Sequence, residues 1–253
     1  MATITYPTQT IVEKCLQSIF PGLNHGCLNQ SISILGNVSE YHYLLCKYGC
    51  LPVNVNNVTG VDIPILVTDN NEPPHKGTVV LLAQDPLRNV KKDDMLKSCT
   101  LSNGCLIGQN PIVGTPFAFH YQPQFYSQTE AYRVVIRGNN TIMGLLSKGY
   151  QVYVTDVWKT WDQNKLYRRG RWGINNPHTI CLIEELNVIK PNYIILMGKQ
   201  AQNKYRSIAN NLNFSPTLVI GPHLSNAANG AWNKLIGSTA LHDKVNYYLN
   251  QIP

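Results

Sequence analysis

Asp85 is the residue whose setting most invites chemistry. It follows the apolar run Thr78-Val79-Val80-Leu81-Leu82-Ala83, and Pro86 prevents that run from continuing as a strand. A carboxylate at the carboxyl end of a buried strand sits where open α/β sheets hold their ligands. The plain alternative is an aspartate that caps the next helix or shapes a turn. Three further β-prone runs, Gln151–Thr155, Tyr193–Met197 and Thr217–Ile220, also end in polar or small clusters. These are Asp156, Gly198-Lys199-Gln200 and Gly221-Pro222-His223-Leu224-Ser225. If the four strands are parallel, all four clusters converge on one edge, and Asp85, Asp156 and His223 become parts of one pocket. His223 has its own alternative, a turn histidine with its hydrogen bonds satisfied locally.

A second kind of chemistry follows Asp156. The stretch 159–172 interleaves Lys159, Lys165, Arg168, Arg169 and Arg171 with Trp161, Tyr167 and Trp172. Cations at Lys165, Arg168, Arg169 and Arg171 suit phosphates, and Trp161 or Tyr167 can stack on a base. The same composition also fits a solvated loop with its aromatics tucked against the body.

The elements needed to hold these residues are legible in outline. Segments of helical pattern lie near Thr129–Leu146, Thr179–Ile189, Lys199–Leu212 and Trp232–Leu249, between and after the apolar runs. Alternation of strand and helix predicts a parallel sheet covered on both faces: an α/β fold with a central four-stranded parallel sheet in three layers, α/β/α. An amphipathic helix with Ile11, Val12, Cys15, Leu16 and Ile19 on one face ends at Pro21-Gly22. Residues 31–75, rich in Asn, Val, Pro and Tyr, give no clear elements, and Asn70-Asn71-Glu72-Pro73-Pro74 reads as a loop into the first strand. The simplest organisation is an N-terminal extension, 1–76, packed on one domain, 77–253.

Composition bounds the partners. The chain has 253 residues, 43% of them hydrophobic, enough for one sizeable core. A formal net charge of +7 favours an anionic partner such as nucleic acid. The first residues carry no basic region followed by an apolar one, and no stretch approaches the roughly 18 apolar residues of a membrane helix. The expectation is a soluble intracellular chain, cytoplasmic or associated with the nucleoid or nucleus. Seven cysteines, an odd number unevenly spread, read as reduced thiols rather than a disulfide framework.

In order and spacing, the motifs resemble those of the uracil-DNA glycosylase superfamily over roughly residues 77–250. Ala83-Gln84-Asp85-Pro86 resembles its water-activating motif, and Gly114-Thr115-Pro116-Phe117 its aromatic platform. Tyr153-Val154-Thr155-Asp156-Val157-Trp158-Lys159 is similar to the base-reading segment of the iron–sulfur branch, and His223-Leu224-Ser225 resembles the His-Pro-Ser motif. The stretch from Cys181 to Tyr205, with Ile189-Lys190-Pro191 and Leu196-Met197-Gly198-Lys199-Gln200-Ala201, matches the same branch.

The resemblance implies a DNA base-excision glycosylase, acting as a monomer on DNA and not at a membrane. Asp85 would orient water and stabilise the sugar cation, and His223 would donate to the leaving base. Gln84 and Leu87 would line the base pocket, Phe117 would stack on a flipped-out base, and Asp156 would read its edge. Phe119 competes with Phe117 for the stacking role. Leu224 and Ser225 would belong to the DNA-contacting loop, Leu224 as a minor-groove wedge; its alternative is packing.

Three departures bear on chemistry. Asp156 stands where the family carries Asn. An ionised carboxylate accepts but cannot donate, so it opposes uracil O4 and suits an exocyclic amino group. Leu87 replaces the tyrosine that excludes the thymine methyl in strict uracil enzymes. The cysteine set is incomplete for a cluster: Cys46 and Cys50 have the wrong spacing, Cys181 fits, and Thr160 replaces the remaining ligand, with Cys99 and Cys105 distant in sequence. No iron–sulfur or other cofactor, and no metal, is therefore expected.

Overall fold

The computed structural model describes residues 2–5, 59–61, 65–69, 74–84, 140–158, 160–162 and 176–253. Its main sheet has the order β1-β3-β5-β4-β7-β8. The strands are β1 (Ala2–Thr5), β3 (Ile65–Asp69), β4 (Thr78–Ala83), β5 (Gln151–Asp156), β7 (Tyr193–Met197) and β8 (Thr217–Gly221). A separate antiparallel ribbon pairs β2 (Thr59–Val61) with β6 (Thr160–Asp162).

β4 is central, and all six of its residues are buried. A Thr-Val-Val-Leu-Leu-Ala run with no polar alternation belongs in a strand covered on both faces. It pairs in parallel with β5 on one side and β7 on the other, and β7 pairs in parallel with β8. These are the four expected strands, each within a residue of its expected end. The sheet is larger than the four strands expected, because β3 joins β5 and β1 joins β3, both antiparallel. Part of the expected N-terminal extension, 1–76, therefore lies within the main sheet. Ile65-Leu66-Val67 is a short β-prone run whose signal is diluted by the Asn- and Pro-rich sequence around it.

Helices flank the sheet: α1 over 140–147, α2 (Pro177–Ile189), α3 (Lys199–Ile208), α4 (Asn229–Ile236) and α5 (Leu241–Leu249). Alternate strand residues feed two cores. Val79, Leu81, Val152, Val154, Ile195 and Met197 pack with Ile142 and Leu145 of α1 and with Trp232 and Tyr248 of α4 and α5. Val80, Leu82, Tyr153, Ile194 and Leu196 pack with Leu182 and Leu186 of α2 and with Ala201, Tyr205 and Ile208 of α3. Each fully buried Leu or Val in these layers contributes about 1.5–3 kcal/mol through removal from water.

The start of α2 is fixed by Asn176, whose side chain accepts the His178 N–H at 3.0 Å, with Pro177 in the first turn. α3 ends in a 3-10 turn over Ala209–Asn211. The expected single helix over 232–249 is two, because Gly237 ends α4 in the left-handed region at φ 68°. The expected helix at Ile11–Ile19 lies outside the described residues. Among the described residues no helix is long and apolar enough to cross a membrane.

Candidate functional site

The parallel register brings the sequence-predicted clusters to one edge. Ala83 lies opposite Asp156, Leu82 opposite Leu196, and Met197 opposite Gly221. Pairing runs on beyond the first two strands: Val157 N–H donates to Ala83 O at 3.0 Å and Trp158 N–H to Gln84 O at 3.0 Å. Gln84, half-buried, therefore sits beside the segment that leaves β5. Beyond β7 and β8, Gly198 N–H donates to Gly221 O at 2.8 Å. Gln84, Asp156, Gly198 and His223 thus share the carboxyl edge of the four parallel strands.

Asp156 is fully buried. It follows Val152 and Val154 on the face of β5 that packs toward α1, α4 and α5, while Tyr153 and Thr155 face α2 and α3. On that second face the buried Glu185 of α2 accepts from Tyr153 Oη at 3.1 Å and from Thr155 Oγ1 at 3.3 Å. Sequence reasoning missed this carboxylate. Glu184 and Glu185 are adjacent in sequence, and only the helix phase decides which turns inward.

His223 is half-buried and held from several directions. Its Nδ1 accepts the Ser225 backbone N–H at 3.1 Å. An accepting Nδ1 leaves the proton of the neutral ring on Nε2, which is then a donor. Its backbone carbonyl accepts from Trp232 Nε1 at 2.8 Å, and the preceding Pro222 carbonyl accepts from Tyr248 Oη at 2.5 Å. Gly198, at φ 88° and ψ 166°, lies in a region that side-chain-bearing residues rarely adopt. A Cβ on it would lie 3.5 Å from His223 Cβ, so the loop packs directly on the start of α3.

Other groups near this edge were not anticipated. Trp158 meets the ring of buried His178 edge-on, with centroids 5.3 Å apart. Lys204 of α3 is buried and donates to Thr179 Oγ1 of α2, and burial lowers its pKa to about 7.

One DNA-contacting assignment is corrected. Leu224 is 1% exposed and packs in the core with Val219, Trp232 and Tyr248, so it is not a protruding wedge here. A leucine after the histidine reads the same in sequence whether it points inward or outward. Ser225 is half-buried, and its N–H is engaged by His223. Asp85, Leu87, Phe117, Lys165, Arg168, Arg169 and Arg171 lie outside the described residues, as do Cys46, Cys50, Cys99 and Cys105. Among the described residues no three His, Cys, Asp or Glu side chains gather as a metal site.

This edge therefore combines a buried carboxylate, a half-buried amide and an imidazole whose tautomer is set to donate. Such a set can read the hydrogen-bonding edge of a flat polar ligand and stabilise negative charge developing on it. Compared with known proteins, the chain matches no family model, no curated protein and no solved structure.

Proposed function

We propose that this chain is a DNA base-excision glycosylase of the uracil-DNA glycosylase superfamily, with that family's three-layer α/β/α core. It hydrolyses the N-glycosidic bond of a deaminated or damaged base turned out of the helix. The observation that carries this reading is the convergence of Gln84, Asp156 and His223 at the carboxyl ends of β4, β5 and β8, in the order of the motifs they resemble.

Cleaving an N-glycosidic bond builds positive charge on the sugar and negative charge on the departing base. The Nε2–H of His223 serves the second need, as a donor to the base carbonyl. Asp85, next in sequence to Gln84, serves the first, by holding the attacking water and stabilising the sugar cation. Phe117 stacks on the base, Gln84 and Leu87 line its pocket, and Lys165, Arg168, Arg169 and Arg171 contact phosphates.

Asp156 sets the base choice. An ionised carboxylate accepts from a ring N–H or an exocyclic amino group but repels a carbonyl at the same place. The preferred base therefore departs from plain uracil, and Leu87 need not exclude 5-substituted rings as a tyrosine would.

Base release from single- and double-stranded oligonucleotides carrying uracil, hypoxanthine, xanthine, mismatched cytosine or 5-substituted uracil tests this reading. Release from at least one substrate, lost in Asp85→Asn, is the expected result; full activity in Asp85→Asn would sink the mechanism. The carboxylate at Asp156, in place of the amide that uracil recognition needs, favours a second reading, a homologue that binds DNA or protein without cleaving. Salt-sensitive DNA binding with no release from any substrate would select it.

A further inference from the structure

The amino edge of the same sheet, one strand length or about 16 Å from the candidate catalytic edge, carries a different feature. An open groove of about 490 Å³ lies there, among residues that precede or begin β4, β5, β7 and β8. That size falls within the range of small-ligand sites, about 300–1,000 Å³.

Its chemistry is one-sided. Lys76 and Lys190 line it, and none of its lining residues is acidic. Lys76 Nζ lies 5.7 Å from the Tyr150 ring centroid and donates to Pro253 O at 3.2 Å, which fixes one cation at the rim. Lys190, the left-handed cap of α2, is exposed, and among the described residues its ammonium has no hydrogen-bond or ion-pair partner. Asn192 uses its Oδ1 to accept Thr78 N–H at 2.9 Å, so its amide N–H donors remain for a ligand. The exposed hydroxyl of Ser215 adds another donor, and the half-buried rings of Tyr193 and Phe214 add flat apolar surface.

We propose that this groove is a binding site for a nucleoside phosphate, separate from the edge that carries His223. The phosphate pairs with Lys190 and takes hydrogen bonds from Asn192 and Ser215, while the base lies against Phe214 and Tyr193. Cations and amide or hydroxyl donors suit the anion, and the aromatic surface suits a ring of any base identity. Such a unit can come from a free nucleotide or from a single-stranded end, and both present the same chemistry. Part of the Lys190 charge offsets the partial negative end of α2, an effect read in stability rather than in ligand binding.

The test needs no base-release activity, so it stands apart from the glycosylase reading. The isotope-labelled full chain is titrated with dAMP, with inorganic phosphate, with deoxyadenosine and with a 5′-phosphorylated single-stranded oligonucleotide. Saturable shifts of the Ser215 and Thr217 amides are expected with dAMP, and weaker ones with phosphate or the nucleoside alone. Lys190→Glu should weaken dAMP binding about tenfold or more, the equivalent of one lost charge-assisted contact. Lys190→Gly, which suits the left-handed cap, should weaken binding without lowering the melting temperature. An oligonucleotide that binds more tightly than dAMP at the same amides identifies the strand end as the source; equal affinity identifies the free nucleotide. Absence of saturable shifts at those amides, or unchanged affinity in Lys190→Glu, overturns the proposal.

Discussion

The backbone N–H of Ser225 donates to Nδ1 of His223 at 3.1 Å, two residues away in the same turn. The tautomer of the imidazole is therefore written into the local backbone. Ser225 has φ −67°, a value proline also adopts, so Ser225→Pro deletes the N–H while fitting the existing backbone at that residue. Because the deleted N–H is hydrogen-bonded, stability should fall by about 1 kcal/mol or somewhat more. Base release should fall about tenfold, because His223 loses the bond that keeps its proton on Nε2. Thermal unfolding alongside single-turnover assays checks both parts, and an unchanged release rate would remove His223 from the donor role.

Asp156 offers a change of specificity in one step. Asp156→Asn restores a side chain that both accepts and donates, so release of uracil should rise by about tenfold or more, the value of one good hydrogen bond against one repulsive contact. Release of a base carrying an exocyclic amino group should fall in parallel. Rates on the two substrates, measured with the same protein preparation, give the answer; a drop on uracil would refute the base-reading argument.

Gly198 carries a backbone conformation that a side chain strains. Gly198→Ala should cost about 1–3 kcal/mol of stability, measured by denaturant unfolding. The cost comes from the backbone at φ 88° and not from crowding, since the new methyl group would meet His223 Cβ at an ordinary van der Waals distance of 3.5 Å. A variant as stable as the parent would mean that the turn relaxes freely.

Lys204 gives the fold a pH dependence of calculable sign. Burial lowers its pKa to about 7 from the usual lysine value of 10.5. Between those values the unfolded chain holds the proton and the folded chain does not, so this group's contribution to stability rises with pH over that window. Below about pH 7 the buried ammonium imposes its full cost. Lys204→Met should flatten the pH profile, with its advantage over the parent largest near pH 6 and shrinking toward pH 9–10. Melting temperatures of both proteins across that range provide the check, and parallel curves would exclude the effect.

The four parallel strands were legible because each is an apolar β-rich run that stops at a turn-forming or charged residue. Their shared edge followed from the alternation of strands with helices. β3 was missed because five residues in an Asn- and Pro-rich stretch carry little periodic signal. The break between α4 and α5 was missed because apolar spacing carries on across Gly237, although a glycine at that point is itself a helix-stop signal. Within the site, Asp156 and His223 could be nominated by type and position. The inward turn of Leu224 and the selection of Glu185 over Glu184 depend on packing that no local pattern encodes.

The pairing of Ala83 with Asp156 and of Met197 with Gly221 also sets how this chain can change in length. Removing one residue from the middle of β5 would rotate its far end by half a period, turning the Asp156 carboxylate toward α2 and away from the face it now occupies. One residue added outside the paired strands leaves that phase intact, although the 148–150 turn ahead of β5 is itself held, with Gly149 O accepting the His75 and Lys76 N–H groups at 3.2 and 3.1 Å. Single-residue insertions and deletions should therefore be rejected within the strands that end at the site.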